Sequence, residues 1–234
     1  MNFDGCFRKI GQVNIGPLKQ LVLGLTPQHW VADQTRQSRY EVHKDTQTIP
    51  LVYDADFRHS NPTLHPAMQM FGDEIKRILT PIAKHYDNSE QGRRLTAQHG
   101  HGFCIRATLV RLNPGGSIDP HQDKNHSLTH SHRIHIPVLT NPQVVFQVGA
   151  QKRHLAEGEV IEINNRREHF VENPSKFERV HLIFDWIITG EQCCCSSITH
   201  AGSPCNAEAC LQTDRLKTEC NCFPENAPLD DQAL

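Results

Sequence analysis

From Cys104 to Ile188 the period of the apolar residues in this 234-residue chain changes to two. Short alternating stretches follow one another at 104–112, 133–139, 144–148, 153–155, 160–163, 170–172 and 179–188. Alternation sends successive side chains to opposite faces of a strand. Asn141-Pro142, Glu157-Gly158 and Asn173-Pro174 punctuate the stretches with turn chemistry. Several short strands separated by turns and preceded by helices predict a mainly β fold, a double-stranded β-helix of the jelly-roll, cupin-like kind.

Upstream the period differs. Across 66–86, Met68, Phe71, Ile75, Ile78, Leu79 and Ile82 recur at three and four, the mark of an amphipathic helix, and Pro81 should kink or end it near Thr80. A shorter helix is expected over 18–23, another starting near Pro27, and a strand over 46–53 that joins one sheet. His99 and His101 read as loop before the first barrel strand. The chain therefore divides into an N-terminal helical and strand support (1–100), a β-helix core (101–189) and a tail (190–234). That tail holds seven of the nine cysteines and seven acidic residues against only Arg215 and Lys217, with Phe223 as its one aromatic, so it is expected to be disordered. Its cysteines lack the paired CxxC spacing of a structural zinc module.

Within the β region, His121-Gln122-Asp123 is followed by His169 and, ten residues later, Arg179. Two histidines and a carboxylate form a facial triad, which fills one face of an iron(II) ion and leaves the opposite positions open. Residues two apart on an extended segment point the same way, so His121 and Asp123 can converge on one metal while a distant strand supplies His169. An HxD pair alone is weak evidence in a chain with sixteen histidines. Its setting strengthens it: Pro114-Gly115-Gly116 turns the chain immediately ahead, delivering the pair to a strand entrance at the rim. Arg179 lies among Phe177, Val180, Leu182 and Phe184, where a charge needs a partner. A dicarboxylate held two-pronged would supply one. The loop histidines His126, His130 and His132 are expected to be solvated.

From about Ile105 to Trp186 the chain resembles the aspartyl/asparaginyl β-hydroxylase family of iron(II)/2-oxoglutarate dioxygenases. The matching pieces are Leu112-Asn113-Pro114-Gly115-Gly116, Arg133-Ile134-His135-Ile136-Pro137, Glu157-Gly158-Glu159-Val160, His169-Phe170-Val171-Glu172-Asn173 and Arg179-Val180-His181-Leu182-Ile183-Phe184-Asp185-Trp186. The resemblance implies Fe(2+) held by His121, Asp123 and His169, 2-oxoglutarate held by Arg179, and O2 as oxidant. It also implies that Arg133 and His135, two apart and on one face, contact 2-oxoglutarate or a substrate carboxylate. The vertebrate peptide-modifying member lacks a carboxylate where Asp123 stands; this chain keeps the full triad, as bacterial relatives do.

The expected reaction is hydroxylation of an unactivated C–H bond of an amino acid, free or in a short peptide, with release of succinate and CO2. A non-redox cupin-type metalloenzyme or metal-binding sensor could use the same histidines, but would have no need of Arg179. A formal charge of −2 gives no pull toward nucleic acid or an anionic membrane. The N-terminus carries Asp4, Arg8 and Lys9, and its longest apolar run, Leu21-Val22-Leu23-Gly24-Leu25, is too short for a signal or a membrane span, so a cytoplasmic protein is expected.

Overall fold

Two antiparallel sheets pack across a shared core in a computed structural model that describes residues 5–33, 40–54, 62–123, 128, 131–189 and 191. Its strands are β1 (Phe7–Gln12), β2 (Thr46–Asp54), β3 (Pro62–Leu64), β4 (Phe103–Leu112), β5 (Ser117–His121), β6 (His132–Leu139), β7 (Val145–Val148), β8 (Gln151–Arg153), β9 (Glu159–Ile163), β10 (His169–Glu172) and β11 (Arg179–Ile187). The larger sheet has the order β1-β9-β6-β11-β4-β2-β3 and the smaller β5-β10-β7-β8. Between them lie Leu112, Ile118, Phe146, Val148, Ile161, Ile163 and Val171. This is the predicted jelly roll.

The helices α1 (Gly16–Leu23), α2 (Pro27–Val31), α3 (Met68–Asp87) and α4 (Glu90–His99) cover the outer face of the large sheet. Leu18, Val22, Phe71, Ile75, Ile78 and Ile82 meet Ile134, Ile136, Val180, Leu182 and Phe184 there. All nine residues of β11 are buried, because its other face looks into the barrel. Alternation therefore does two jobs on this strand: even-numbered residues pack on helices, and odd-numbered ones carry the polar groups of the interior.

Several expectations needed correction. Pro81 does not end its helix: α3 runs 20 residues through it. Pro81 sits on the exposed side, where a lost backbone bond can be replaced by water, and the neighbouring Thr80 hydroxyl donates to the Lys76 carbonyl at 2.7 Å. His99 belongs to α4 rather than a loop; Ser89 caps that helix by accepting from the Gly92 N–H at 2.9 Å, while only Gly92 and Leu95 are buried, too few for a visible period. The strands β1 and β3 were not anticipated, and β5 ends at His121, where a strand entrance was expected. The first is charged at Arg8 and Lys9 and is specified by its distant partner β9. Strand 153–155 is displaced to Gln151–Arg153.

His132 is not solvated but buried at 4% exposure. The described chain continues past β11 to Glu191, itself 5% exposed. His126, His130 and the cysteine-rich segment 192–234 lie outside the described residues. Among the described residues no helix is long and apolar enough to cross a membrane.

Candidate metal centre

The turn that precedes the triad is built as its composition demands. Gly115 takes φ +69°, and a Cβ on Gly116 would lie 2.9 Å from the Asp45 Cβ, so both positions favour glycine. Strand β5 leaves this turn and ends on His121, which pairs in register with His169 at the start of β10. The two rings lie 4.3 Å apart. Asp123 falls two residues beyond the strand end, so strand alternation does not place it. Its backbone N–H donates instead to the Asn165 carbonyl at 3.0 Å. One ligand atom from each of His121, Asp123 and His169 lies within 4.8 Å of the others.

Both imidazoles are set for coordination through Nε2. His121 Nδ1 is 2.7 Å from the Asp119 carbonyl and His169 Nδ1 is 2.9 Å from the Arg167 carbonyl. A carbonyl cannot donate, so each Nδ1 carries the proton and each Nε2 the lone pair. Burial drives the His169 pKa down to about 4 against the opposing pull of Asp123, leaving the ring neutral at neutral pH, as a metal ligand must be.

Burial acts in the other sense on Asp123, but Arg133, His169, His121 and the Asn165 amide together bring its pKa to about 2. Its Oδ2 accepts from Arg133 Nη1 at 2.7 Å and Asn165 Nδ2 at 2.9 Å. Its Oδ1 is buried with no hydrogen-bond partner among the described residues. An anionic oxygen left in that state is costly unless a cation meets it. The donor set of two imidazoles and one carboxylate fits a hard-to-borderline divalent ion such as iron(II).

Arg133 and His135 share the inward face of β6, as their spacing required, but their neighbours are specific. Arg133 docks onto Asp185, Nε to Oδ1 and Nη2 to Oδ2, both at 2.9 Å, while Nη1 reaches Asp123. Its charge is thus matched by protein carboxylates. His135 lies with its ring edge-on to Phe146 at 5.0 Å and its Nδ1 3.4 Å from the Nδ1 of His181.

Arg179 is 1% exposed, with Nη2 2.6 Å from His181 Nδ1 and its guanidinium carbon 5.9 Å from the Phe146 ring. An N–H donates there, so His181 must offer a lone pair. Burial first, then Arg179, His135 and His154, hold its pKa well below the ordinary value, which keeps that lone pair.

His181, Asp185 and Asn165 were not singled out from the sequence as site residues. A signal existed for two of them: Arg179, His181 and Asp185 recur at even spacing on a strand whose alternate residues Val180, Leu182 and Phe184 are apolar. His43 was also unmarked, and its ring stands edge-on to that of His121 at 5.5 Å.

Residues 93–188 match the family model described as Aspartyl/Asparaginyl beta-hydroxylase. No curated protein matches the chain. Among solved structures it is similar to an oxidoreductase of the 2OG-Fe(II) oxygenase family from Burkholderia pseudomallei, with 16% identity and a TM-score of 0.46. That similarity covers 61% of this chain and 66% of the other, just under two thirds of its length. A viral collagen prolyl hydroxylase from Paramecium Bursaria Chlorella virus-1 shows 9% identity and a TM-score of 0.45, over 78% of this chain and 96% of that one. A cupin domain from Bordetella pertussis shows 23% identity and a TM-score of 0.30, over 36% and 82% respectively.

Proposed function

We propose that this chain, whose residues 93–188 match the Aspartyl/Asparaginyl beta-hydroxylase model, is an iron(II)/2-oxoglutarate-dependent hydroxylase acting on an amino acid, free or in a peptide. The observation that carries the reading is the buried Asp123 carboxylate set between two neutral imidazoles, with ligand atoms within 4.8 Å of one another. His121, Asp123 and His169 would hold the ion. With 2-oxoglutarate and O2, that centre would supply oxidation of an unactivated C–H bond, releasing succinate and CO2.

The protein's own part is orientation and exclusion of water. Arg179 holds the distal carboxylate of 2-oxoglutarate, and His181 braces the guanidinium from the side by accepting one of its N–H groups. His135, packed on Phe146 beside His181, completes a buried wall around that carboxylate. Phe146 and the core beneath it keep the floor dry, which strengthens each charged contact there. Arg133 holds Asp123 in place rather than meeting substrate, since Asp185 and Asp123 already match its charge. An amino-acid substrate is therefore supported by the family, not by a surplus of positive charge at Arg133.

The test is succinate release from purified protein supplied with iron(II), ascorbate and 2-oxoglutarate, screened against amino acids and short peptides. The expected result is turnover with at least one of them, and an Arg179→Ala variant that needs about 10–100-fold more 2-oxoglutarate, the loss expected for a charge-assisted pair. Succinate release stimulated only by a lipid or a nucleic acid would defeat the substrate class. An unchanged 2-oxoglutarate requirement would remove Arg179 from the site.

A further inference from the structure

We propose that Asp185 is a positioning residue for the metal site: by taking two of the three donating nitrogens of Arg133, it keeps that guanidinium from closing two-pronged on Asp123 and so leaves that carboxylate to the ion. The proposal rests on the triad being the metal site, and the experiment below separates the two.

Arg133 is 6% exposed and stands between two carboxylates that are 1% and 0% exposed, Asp123 and Asp185. Its donors are divided unequally. Nε and Nη2 meet the two oxygens of Asp185, a two-pronged pair, and Nη1 alone reaches Asp123 Oδ2. Arg106 Nη1 stands 3.8 Å from the same Asp185.

The division has a chemical consequence. A carboxylate can give a metal one oxygen or both. Asp123 Oδ2 already accepts from Arg133 and from Asn165, while Oδ1 accepts from nothing described. One imidazole from each histidine and one carboxylate oxygen fill three positions, leaving three for a chelating co-substrate and dioxygen; a second carboxylate oxygen would take one of these. Without Asp185 the guanidinium would be a whole buried cation facing a single anion. It would close on Asp123 two-pronged and compete with the metal for both oxygens. Asp185 prevents that by holding two of the three donating nitrogens away.

The test is cobalt(II) titration of the metal-free full chain, followed by affinity and by the visible d–d spectrum, with no turnover required. Asp185→Asn should weaken cobalt binding about 10–100-fold, the usual effect of removing a group that orients a ligand. The double variant Asp185→Asn with Arg133→Gln removes the competing cation as well and should return the affinity to within about threefold of the parent. A residue that merely supports the fold would give no such rescue. Single-variant affinity equal to the parent's, or a double variant as weak as the single, overturns the proposal. Should Asp185→Asn not fold, Arg133→Gln alone decides: removing the Arg133 hydrogen bond from Asp123 should shift the cobalt spectrum, and an unshifted spectrum overturns the proposal. Cobalt bound by the parent and lost in His169→Ala, with Asp185→Asn unchanged, would sink this proposal and leave the metal site standing. Failure of the parent to bind cobalt would overturn the metal reading itself.

Discussion

His132 and Arg133 are neighbours on β6, yet each anchors a different buried charge network on opposite sides of the large sheet. On the helix side, His132 Nδ1 lies 2.6 Å from Glu162 Oε1 and its Nε2 2.7 Å from Glu191 Oε2. Arg8 pairs with Glu162 from β1, and the Tyr86 hydroxyl of α3 donates to Glu162 at 3.0 Å. On the barrel side, Arg133 joins Asp123 to Asp185. Both networks bear the desolvation cost that makes buried ion pairs poor sources of net stability. The difference lies in how they finish. The outer network sets His132 and Arg8 against Glu162 and Glu191 and ties β1, α3, β6, β9 and the segment after β11 together. The inner one leaves Asp123 Oδ1 without a partner among the described residues. A buried anionic oxygen without a donor is costly unless a cation meets it.

Removing a ligand on the inner side should have the largest effect. His169→Ala should abolish retention of metal and turnover, while the metal-free protein melts within a few degrees of the parent, because His169 is no part of the apolar cluster between the sheets. Retained activity, or a collapse of the fold, would erase the distinction. The converse change comes next in size. Glu162→Gln strips the outer network of its shared anion and should cost about 3–5 kcal/mol of stability, the range for breaking a buried pair. Denaturant midpoints would read that loss, and turnover per folded molecule should stay close to the parent's.

The smallest effect is a dependence on pH. Burial lowers the His132 pKa, but Glu191 and Glu162 outweigh it and raise it from 6.5 to about 9. A raised histidine contributes stability that is complete below pH 6.5 and is lost as pH climbs through about 9. Burial raises the Glu191 pKa, and His132 overcomes this to bring it from 4.5 to about 2, so its contribution is present above pH 4.5 and is lost as pH falls toward 2. Calorimetric melting temperatures should therefore hold a plateau between these limits and decline on both sides, and His132→Gln should remove the alkaline decline. A decline that survives in that variant would mean that another group controls it.

The barrel was legible because its strands alternate in plain view. β4, β6 and β11 carry enough period-two sequence to be found without their neighbours, and their observed limits fall within a residue or so of expectation. β1 could not be found this way, since Arg8 and Lys9 break its pattern and its pairing partner lies some 150 residues away in β9. α4 is capped clearly by Ser89 but buries too little to show a stripe. At the site, spacing and resemblance pointed to His121, Asp123 and His169, whose ligand atoms the fold brings within 4.8 Å of one another. The partners of Arg133 were not legible: whether a charged strand residue meets a co-substrate or a neighbouring carboxylate depends on Asp185 in the adjacent strand, which local sequence does not reveal. His132 failed for the same reason. A histidine in a polar stretch looks solvated until Glu162 and Glu191 are brought to it by the fold.

The adjacency of His132 and Arg133 also bears on how the chain finds its topology. Antiparallel strands can slip by one position, and such a slip inverts every side chain. In β6 it would put an arginine among Tyr86, Trp186 and the helices, and a histidine against Asp185 and Asp123. Each carboxylate would meet a partner of the wrong length and reach, and Ile134, Ile136 and Val138 would turn toward the polar interior. The pair works as a two-sided key, so that mispaired forms of the central strands are penalised on both faces at once and the correct alignment stands apart from its nearest competitors.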